Sequence, residues 1–314
     1  REKFGPADLD VAVDLGGGLG LAWHNAALLA ERASIFASLH DGVVVSKEAV
    51  GHEVRYADGK GTELPPGEQE KANTDTIFDV ASISKLFTSI AALQQAEDGQ
   101  IDLSAPVAEY LPEFGVNGKE SITVEQLLTH TSGLQAEAKL WKLPPKKRIP
   151  HIMNLTPENA PGTTYQYSDP NMITLGVLIE RVAGKSLDKV VSERITQPLS
   201  MRDTGYNPPK SKLHRIAATE FQAEDPARGM VRGEVHDENA WSLGGVAGQA
   251  GVFSTADDLA ILGQTILNGG TYQGTRILDR NSVEKMLTNY NEQFPEDSHG
   301  LGFELDQRWY MAGL

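Results

Sequence analysis

The stretch Thr76-Ile77-Phe78-Asp79-Val80-Ala81-Ser82-Ile83-Ser84-Lys85 passes from a strand-like run into a helix and sets a hydroxyl and an amine three residues apart. On a helix, positions i and i+3 share a face, so Lys85 can reach back toward the Ser82 oxygen. A serine hydroxyl is a poor nucleophile at neutral pH until a neighbouring base takes its proton. An amine that is buried or crowded by cations loses basicity and can serve. Ser-x-x-Lys is therefore an acyl-transfer pattern. It also occurs at Ser186-Leu187-Asp188-Lys189 and Ser282-Val283-Glu284-Lys285, and context separates the three. Ser186 and Ser282 each open a polar, amphipathic stretch and read as helix N-caps. Ser82 alone leads into an almost wholly apolar helix (Leu86, Phe87, Ile90, Ala91, Ala92, Leu93), which belongs in a core. The first turn of such a helix is dry and electropositive, a setting that favours a developing oxyanion.

The chain around this stretch has 314 residues, enough for one large domain or two ordinary ones. At 40% hydrophobic and 23% charged it has the composition of a globular protein. No run approaches the apolar length of a membrane span, and no secretory leader pattern opens the chain, so a soluble protein without an integral membrane segment is expected. The first residue is Arg1, which leaves a processed leader open, and the compartment is not legible. With no cysteine, disulfides and Cys-ligated metals are excluded. A net charge of −15 argues against nucleic acid or anionic membrane as partner. The basic cluster from Lys139 to Arg148 contains Pro144-Pro145 and reads as a solvated loop.

Outward from Ser82, residues 1–32 form an N-terminal segment without a decisive pattern. Gly16-Gly17-Gly18-Leu19-Gly20 fits neither phosphate-loop spacing and reads as a flexible lead-in, with Ala26 to Arg32 a short helix. Ala33–Leu39, Asp41-Gly42 and Val43–Ala49 predict a hairpin, since Asp-Gly supplies the positive φ of a tight turn. Gly51 to Ala72 reads as a long surface excursion. The Ser82 helix ends at Asp98-Gly99, where glycine suits a left-handed cap. Short or long helices are predicted at Val124–Thr129 (capped by Thr123), Met172–Ala183, Leu187–Ile195 and Thr255–Leu267, and a strand at Gly300–Trp309. Hairpin first, helices in the middle and strand last predict an α/β (α+β) fold. A discontinuous sheet domain (33–100 and 245–314) would carry a mostly helical domain (101–244) as an insertion.

A Ser/Lys pair needs a further proton carrier, because the leaving group must be protonated as the acyl-enzyme forms. Tyr165-Gln166-Tyr167-Ser168-Asp169-Pro170-Asn171, a turn after Pro161-Gly162, is the candidate segment. A phenol beside an ammonium becomes more acidic and can act as base. The competing reading has both tyrosines packing their rings against the apolar helix that follows.

Taken together, these motifs resemble the serine β-lactamase-like superfamily, near class C β-lactamases, D-alanyl-D-alanine carboxypeptidases and related esterases. The resemblance runs from about residue 33 to the end. It rests on Phe78 to Lys85, Leu127-Leu128-Thr129-His130-Thr131-Ser132-Gly133-Leu134 and Tyr167-Ser168-Asp169. Pro198-Leu199-Ser200-Met201, Gly244-Gly245 to Ser254-Thr255-Ala256 with Asp258-Leu259, and Gly300-Leu301-Gly302-Phe303 add to it. It implies an antiparallel sheet flanked by helices plus an all-α domain, with the active site in the cleft between them. It also implies Ser82 as acylated nucleophile, Lys85 as its proton partner, Tyr167 as general base and acid, and the Ser82 N–H as half an oxyanion hole. No metal or organic cofactor is implied; the partner is a small-molecule acyl substrate, and the oligomeric state is open.

Two departures refine that expectation. The usual Tyr-x-Asn element ends here in Asp169, whose charge would keep Lys85 protonated and removes an amide donor for a β-lactam or peptide carbonyl. This favours small esters or D-amino-acid peptides over β-lactams. The later Lys/His-Thr/Ser-Gly element is not found before Leu314, so the last strands of the sheet are expected to be missing. A penicillin-binding sensor or a non-catalytic relative is the answer of a different class. Among other residues, His130 is a tempting base but sits at a helix end where structure accounts for it. His236 and Asp237 either line the cleft or brace a loop. His52, His151 and His214 lack ligand-like spacing, so no metal site is expected.

Overall fold

A computed structural model describes residues 11–14, 34–40 and 43–305 of the chain. The predicted hairpin is present as β2 (Ser34–His40) and β3 (Val43–Val50), paired antiparallel from Ser34↔Val50 to His40↔Val43. Its Asp41-Gly42 turn lies outside the described residues, as do Gly16 to Gly20 and the helix expected at 26–32. Within the N-terminal segment that showed no decisive pattern, Val11–Asp14 is a strand, β1, paired antiparallel with β2. Its four residues, Val-Ala-Val-Asp, carry strand propensity but too little length to show a period. The stretch read as a surface excursion contains a second antiparallel pair, β4 (His52–Val54) with β5 (Glu70–Lys71), extended by a bridge between Tyr56 and Glu63.

Next come β6 (Phe78–Asp79), a 3₁₀ turn at Ala81–Ile83 and α1 (Ser84–Glu97). Ser82 therefore sits on the turn that precedes the helix, with Ala81 in the left-handed region at φ 46°. α1 is buried on nearly every face, with Phe87, Ile90, Ala91 and Ala92 fully enclosed, as its composition requires. It stops where Gly99 takes φ 70°. α2 (Val124–Leu128) starts on a capping box between Thr123 and Gln126. The basic cluster is not a loop: Leu140–Lys142 is a 3₁₀ turn and Pro145–Met153 is α3, with Pro145 in the first turn, where its missing N–H costs nothing.

α4 (Asp169–Ala183) begins earlier than its apolar run because Ser168 caps it, accepting from Asn171 N, and Pro170 sits in its first turn. α5 (Leu187–Val191) continues into a wider turn at Ser192–Thr196. Ser186 precedes α5 without a side-chain cap bond; the Leu187 N–H donates to Glu180 Oε1 instead. Strand β7 (Gly205–Tyr206) and the pair β8 (Glu220–Gln222) with β9 (Gly229–Val231) follow, then α6 (Glu238–Ser242). β10 (Val252–Ser254) completes a small antiparallel sheet of order β6-β10-β7. α7 (Ala256–Leu267), capped by Thr255, packs on β1 and β2. The hairpin β11 (Thr271–Tyr272)–β12 (Thr275–Arg276) and α8 (Arg280–Met286) come last. Ser282 does not cap α8. Asp279 holds that position, and Ser282 lies buried within the helix. The strand expected at Gly300–Trp309 is, as far as residue 305, a tight turn with a single bridge between His299 and Glu304.

The Gly244–Gly251 loop reaches α4 main chain to main chain. A Cβ built on Gly248 would lie 1.9 Å from the Met172 carbonyl oxygen, and one on Gly176 would lie 3.2 Å from Gly248 N. Backbone at that distance cannot yield as a flexible side chain can. Gly248→Ala is therefore expected to cost about 3 kcal/mol or more. Gly99→Ala, at a position with open space around it, should cost only about 1 kcal/mol for its left-handed backbone. Chemical denaturation of the two variants beside the parent checks the contrast; equal losses would show that the Gly248 seam gives way.

Candidate active site

The turn at Ala81–Ile83 and the first turn of α1 bring Ser82 and Lys85 together, Lys85 Nζ donating to Ser82 Oγ at 2.9 Å. Lys85 also donates to the Gln249 carbonyl at 3.2 Å and pairs with Asp169 Oδ1 at 2.9 Å. Its ammonium lies 4.7 Å from the centre of the Tyr167 ring. Ser82, Lys85, Tyr167 and Asp169 thus converge on one point, although 84 positions separate Lys85 from Asp169. Burial alone would push the Lys85 amine down, but Asp169 and Tyr167 together hold it above its ordinary value. Burial pushes the Asp169 carboxyl up while Lys85 pulls it back. The pair stands as ammonium and carboxylate, because three oxygens surround Lys85 Nζ and a neutral amine, with two N–H bonds, could not donate to all of them.

Asp169 occupies the first position of α4, where a negative charge meets the positive end of the helix. The segment that delivers Tyr167 is clipped at each end of its path. Gly162 N donates to Thr131 O, Gln166 N to His130 O, Ser168 N to His130 Nδ1 and Asp169 N to Ala136 O. The His130 ring lies tilted against the Tyr167 ring with centres 4.7 Å apart. Burial drives the His130 pKa well below the usual imidazole range. A neutral ring accepting at Nδ1 from Ser168 braces the tyrosine. The left-handed conformation of His130, φ 57°, lets the chain leave α2 and bring the ring inward. Ser132 donates to Asn171 Oδ1 at 2.6 Å beneath the same wall.

His236 and Asp237 come near this site as braces. The His236 ring meets Glu220 Oε2 at 2.5 Å, outside the Ser82 cluster. Asp237 Oδ1 accepts from Ala240 N at 2.7 Å, capping α6, and from Gln249 Nε2 at 3.1 Å. Gln249 and Asp79 were missed in the sequence reading. Gln249 is fully buried, its carbonyl on Lys85 and its amide on Asp237. Asp79 accepts from Ala81 N at 2.9 Å and from His236 N at 2.7 Å. Burial pushes its carboxyl up and the two amides pull it down. A carboxylate inside an otherwise apolar strand was the one available signal for Asp79; nothing local marks Gln249. Among the described residues no group of three or more His, Asp or Glu could hold a metal. No described helix is long and apolar enough to cross a membrane.

A family model described as Beta-lactamase matches residues 28–314. The chain belongs to this family. It is a β-lactamase-fold serine hydrolase family, mixed α/β with antiparallel sheets and helices. Among its relatives, an "N-acetylmuramyl-L-alanine amidase" of Bacillus subtilis (strain 168) is 32% identical over 279 residues, 80% of this chain and 62% of that protein. A "Putative D-alanyl-D-alanine carboxypeptidase" of Salmonella paratyphi B is 31% identical over 298 residues, 85% of this chain and 67% of that protein. The chain thus spans about two-thirds of the length of these curated relatives. The solved structure of EstCE1, "a hydrolase with promiscuous acyltransferase activity", superposes with a TM-score of 0.66 at 21% identity, covering 90% of this chain and 80% of that one.

Two neutral histidines stand behind Tyr167 and Tyr165. His299, 5.3 Å from His130 ring to ring, is bonded through Nδ1 to Gly300 O at 2.6 Å and is pushed down to about 4 by burial. A depressed imidazole stabilises the fold fully above the unfolded value near 6.5 and loses that contribution as pH falls toward the folded value. His299→Asn should therefore flatten the fall in unfolding free energy between pH 6.5 and 4 by roughly 3 kcal/mol, about 1.4 kcal/mol per pH unit. Urea titrations across that range measure it; parallel curves for parent and variant would refute it.

Proposed function

We propose that this chain is a serine hydrolase that works through a Ser82 acyl-enzyme on small esters or D-amino-acid peptides. The observation that carries the reading is the ammonium of Lys85, set 2.9 Å from both Ser82 Oγ and Asp169 Oδ1. An ammonium has no lone pair with which to accept the serine proton, and its three N–H bonds already point at oxygens. Its part is electrostatic: it stabilises negative charge on Ser82 Oγ as the hydroxyl proton departs. Tyr167, whose ring faces that ammonium at 4.7 Å, is the group that as phenolate takes the proton and as phenol returns it to the leaving group. Ser82 Oγ then bonds the substrate carbonyl carbon, the alcohol or amine leaves with the proton, and water releases the acid by the same path in reverse. Ser82, Lys85 and Gln249 come from segments 33–100 and 245–314, and Tyr167 and Asp169 from 101–244. That supports reading the site as a cleft between a sheet domain and a helical domain. The amidase and carboxypeptidase names of the relatives support an amino-acid-derived acyl group.

Asp169 favours esters and D-amino-acid peptides over β-lactams, because a carboxylate engaged with Lys85 offers no amide proton to a lactam carbonyl. A fluorophosphonate should label Ser82, as read by intact mass and peptide mapping, and Ser82→Ala should abolish labelling. Lys85→Ala and Tyr167→Phe should each slow ester turnover by about 10²–10⁴-fold. Asp169→Asn should shift the ratio of ester to cephalosporin hydrolysis toward the cephalosporin, and an unchanged ratio would count against the substrate assignment. Catalytic release of acid marks an enzyme; a single burst that stops would make the chain a sensor that acylates without turning over.

A further inference from the structure

The carboxylate of Asp79 spends both oxygens on main-chain amides, one on each side of the site. Oδ1 accepts from Ala81 N at 2.9 Å, on the residue before Ser82. Oδ2 accepts from His236 N at 2.7 Å, on the residue before Asp237 and 157 positions away. Asp79 is itself fixed in β6, in register with Phe253 of β10. Ala81 is a left-handed residue with a side chain, φ 46°, a conformation that alanine adopts only when its surroundings hold it there. The second anchor closes a circuit. From His236 the chain passes to Asp237, whose Oδ1 accepts from Gln249 Nε2, and the Gln249 carbonyl accepts from Lys85 Nζ. Lys85 Nζ returns to Ser82 Oγ at 2.9 Å. Two further bonds hold the Gln249 segment to α1: Thr88 Oγ1 donates to Gly248 O at 2.8 Å, and Val252 N donates to Ser84 Oγ at 3.0 Å. In this circuit Asp79 is the only member that touches both the turn bearing Ser82 and the loop bearing Asp237.

We infer that Asp79 is a positioning residue: by tying the Ala81 turn to the His236–Asp237 loop, it holds Ser82 Oγ at the distance Lys85 requires. The inference rests on the reading of Ser82 as nucleophile. It differs from a purely structural role in a measurable way, because the geometry it protects is that of the reacting oxygen. Asp258 supplies the comparison. It too is a buried carboxylate that joins distant segments, accepting from Asp203 N and Thr204 Oγ1 with one oxygen, and no bond connects it to Ser82, Lys85 or Tyr167.

The test compares Asp79→Asn with Asp258→Asn in the full chain. An asparagine at 79 can accept from one amide but turns its own N–H₂ toward the other. The rate constant for fluorophosphonate labelling of Ser82 is measured per folded molecule, with amide hydrogen exchange at residues 81 and 236 alongside. Asp79→Asn is expected to slow labelling at least tenfold and to speed exchange at both amides, whereas Asp258→Asn stays within twofold of the parent. Labelling of Asp79→Asn at the parental rate, or a loss no larger than that of Asp258→Asn, overturns the inference. Should Asp79→Asn not fold, Asp79→Glu, which keeps the charge but displaces it by a methylene, is held to the same two thresholds. If the parent itself does not label, the nucleophile assignment fails, and exchange alone decides the link. Faster exchange at both 81 and 236 sustains it, and a change at one or neither refutes it.

Discussion

One ammonium organises this site. Lys85 Nζ faces one oxygen from its own turn and two from remote parts of the chain: the Ser82 hydroxyl, the Asp169 carboxylate at the head of α4 and the Gln249 carbonyl in the glycine-rich loop. A cation taken out of water must recover its hydration from the protein or give up its proton. Here the recovery is spread over elements that share no local sequence, so assembling the fold and charging the site are one event. The apolar surroundings that make α1 a core helix are also what make those contacts strong.

The Ser82–Lys85 contact was legible because it is local. Ser-x-x-Lys depends on the i, i+3 geometry of one turn, and the family motifs around Tyr167 and Asp169 span a few residues each. The helix start at Thr123 was readable for the same reason, since a cap is a bond between near neighbours, whereas the Ser168 cap lay ahead of the apolar run that begins at Met172. Ser186 and Ser282 show the limit of that logic. Each has the residue type of a cap, yet in one case a glutamate from the preceding helix takes the amide, and in the other the helix begins three residues earlier. Prolines misled in the opposite sense at Lys139–Arg148, because a proline pair that ends one element can begin the next.

What stayed hidden depends on contacts across the fold. For His236 and Asp237 residue type left cleft lining and loop bracing both open, and it takes the fold to show a backbone amide of one and a carboxylate of the other tying loops together. Gln249 carries no chemical label at all, and its value lies in where the glycine loop presents its carbonyl. The short strands β1, β4 and β5 were missed because two to four residues cannot display a period of two.

The seam between Gly248 and Met172 bears on how the surroundings of Lys85 can change. A contact between two main chains has no rotamers to freeze and no side chain to exchange, so substitution cannot retune it. This wall is a fixed datum against which the rest of the site is measured. The Leu140–Lys142 turn is different: it packs on α6 with Trp141 and Trp241 partly open to solvent, where a changed side chain has room. For anyone diversifying this scaffold, the partly open tryptophans can be exchanged and the glycine seam cannot.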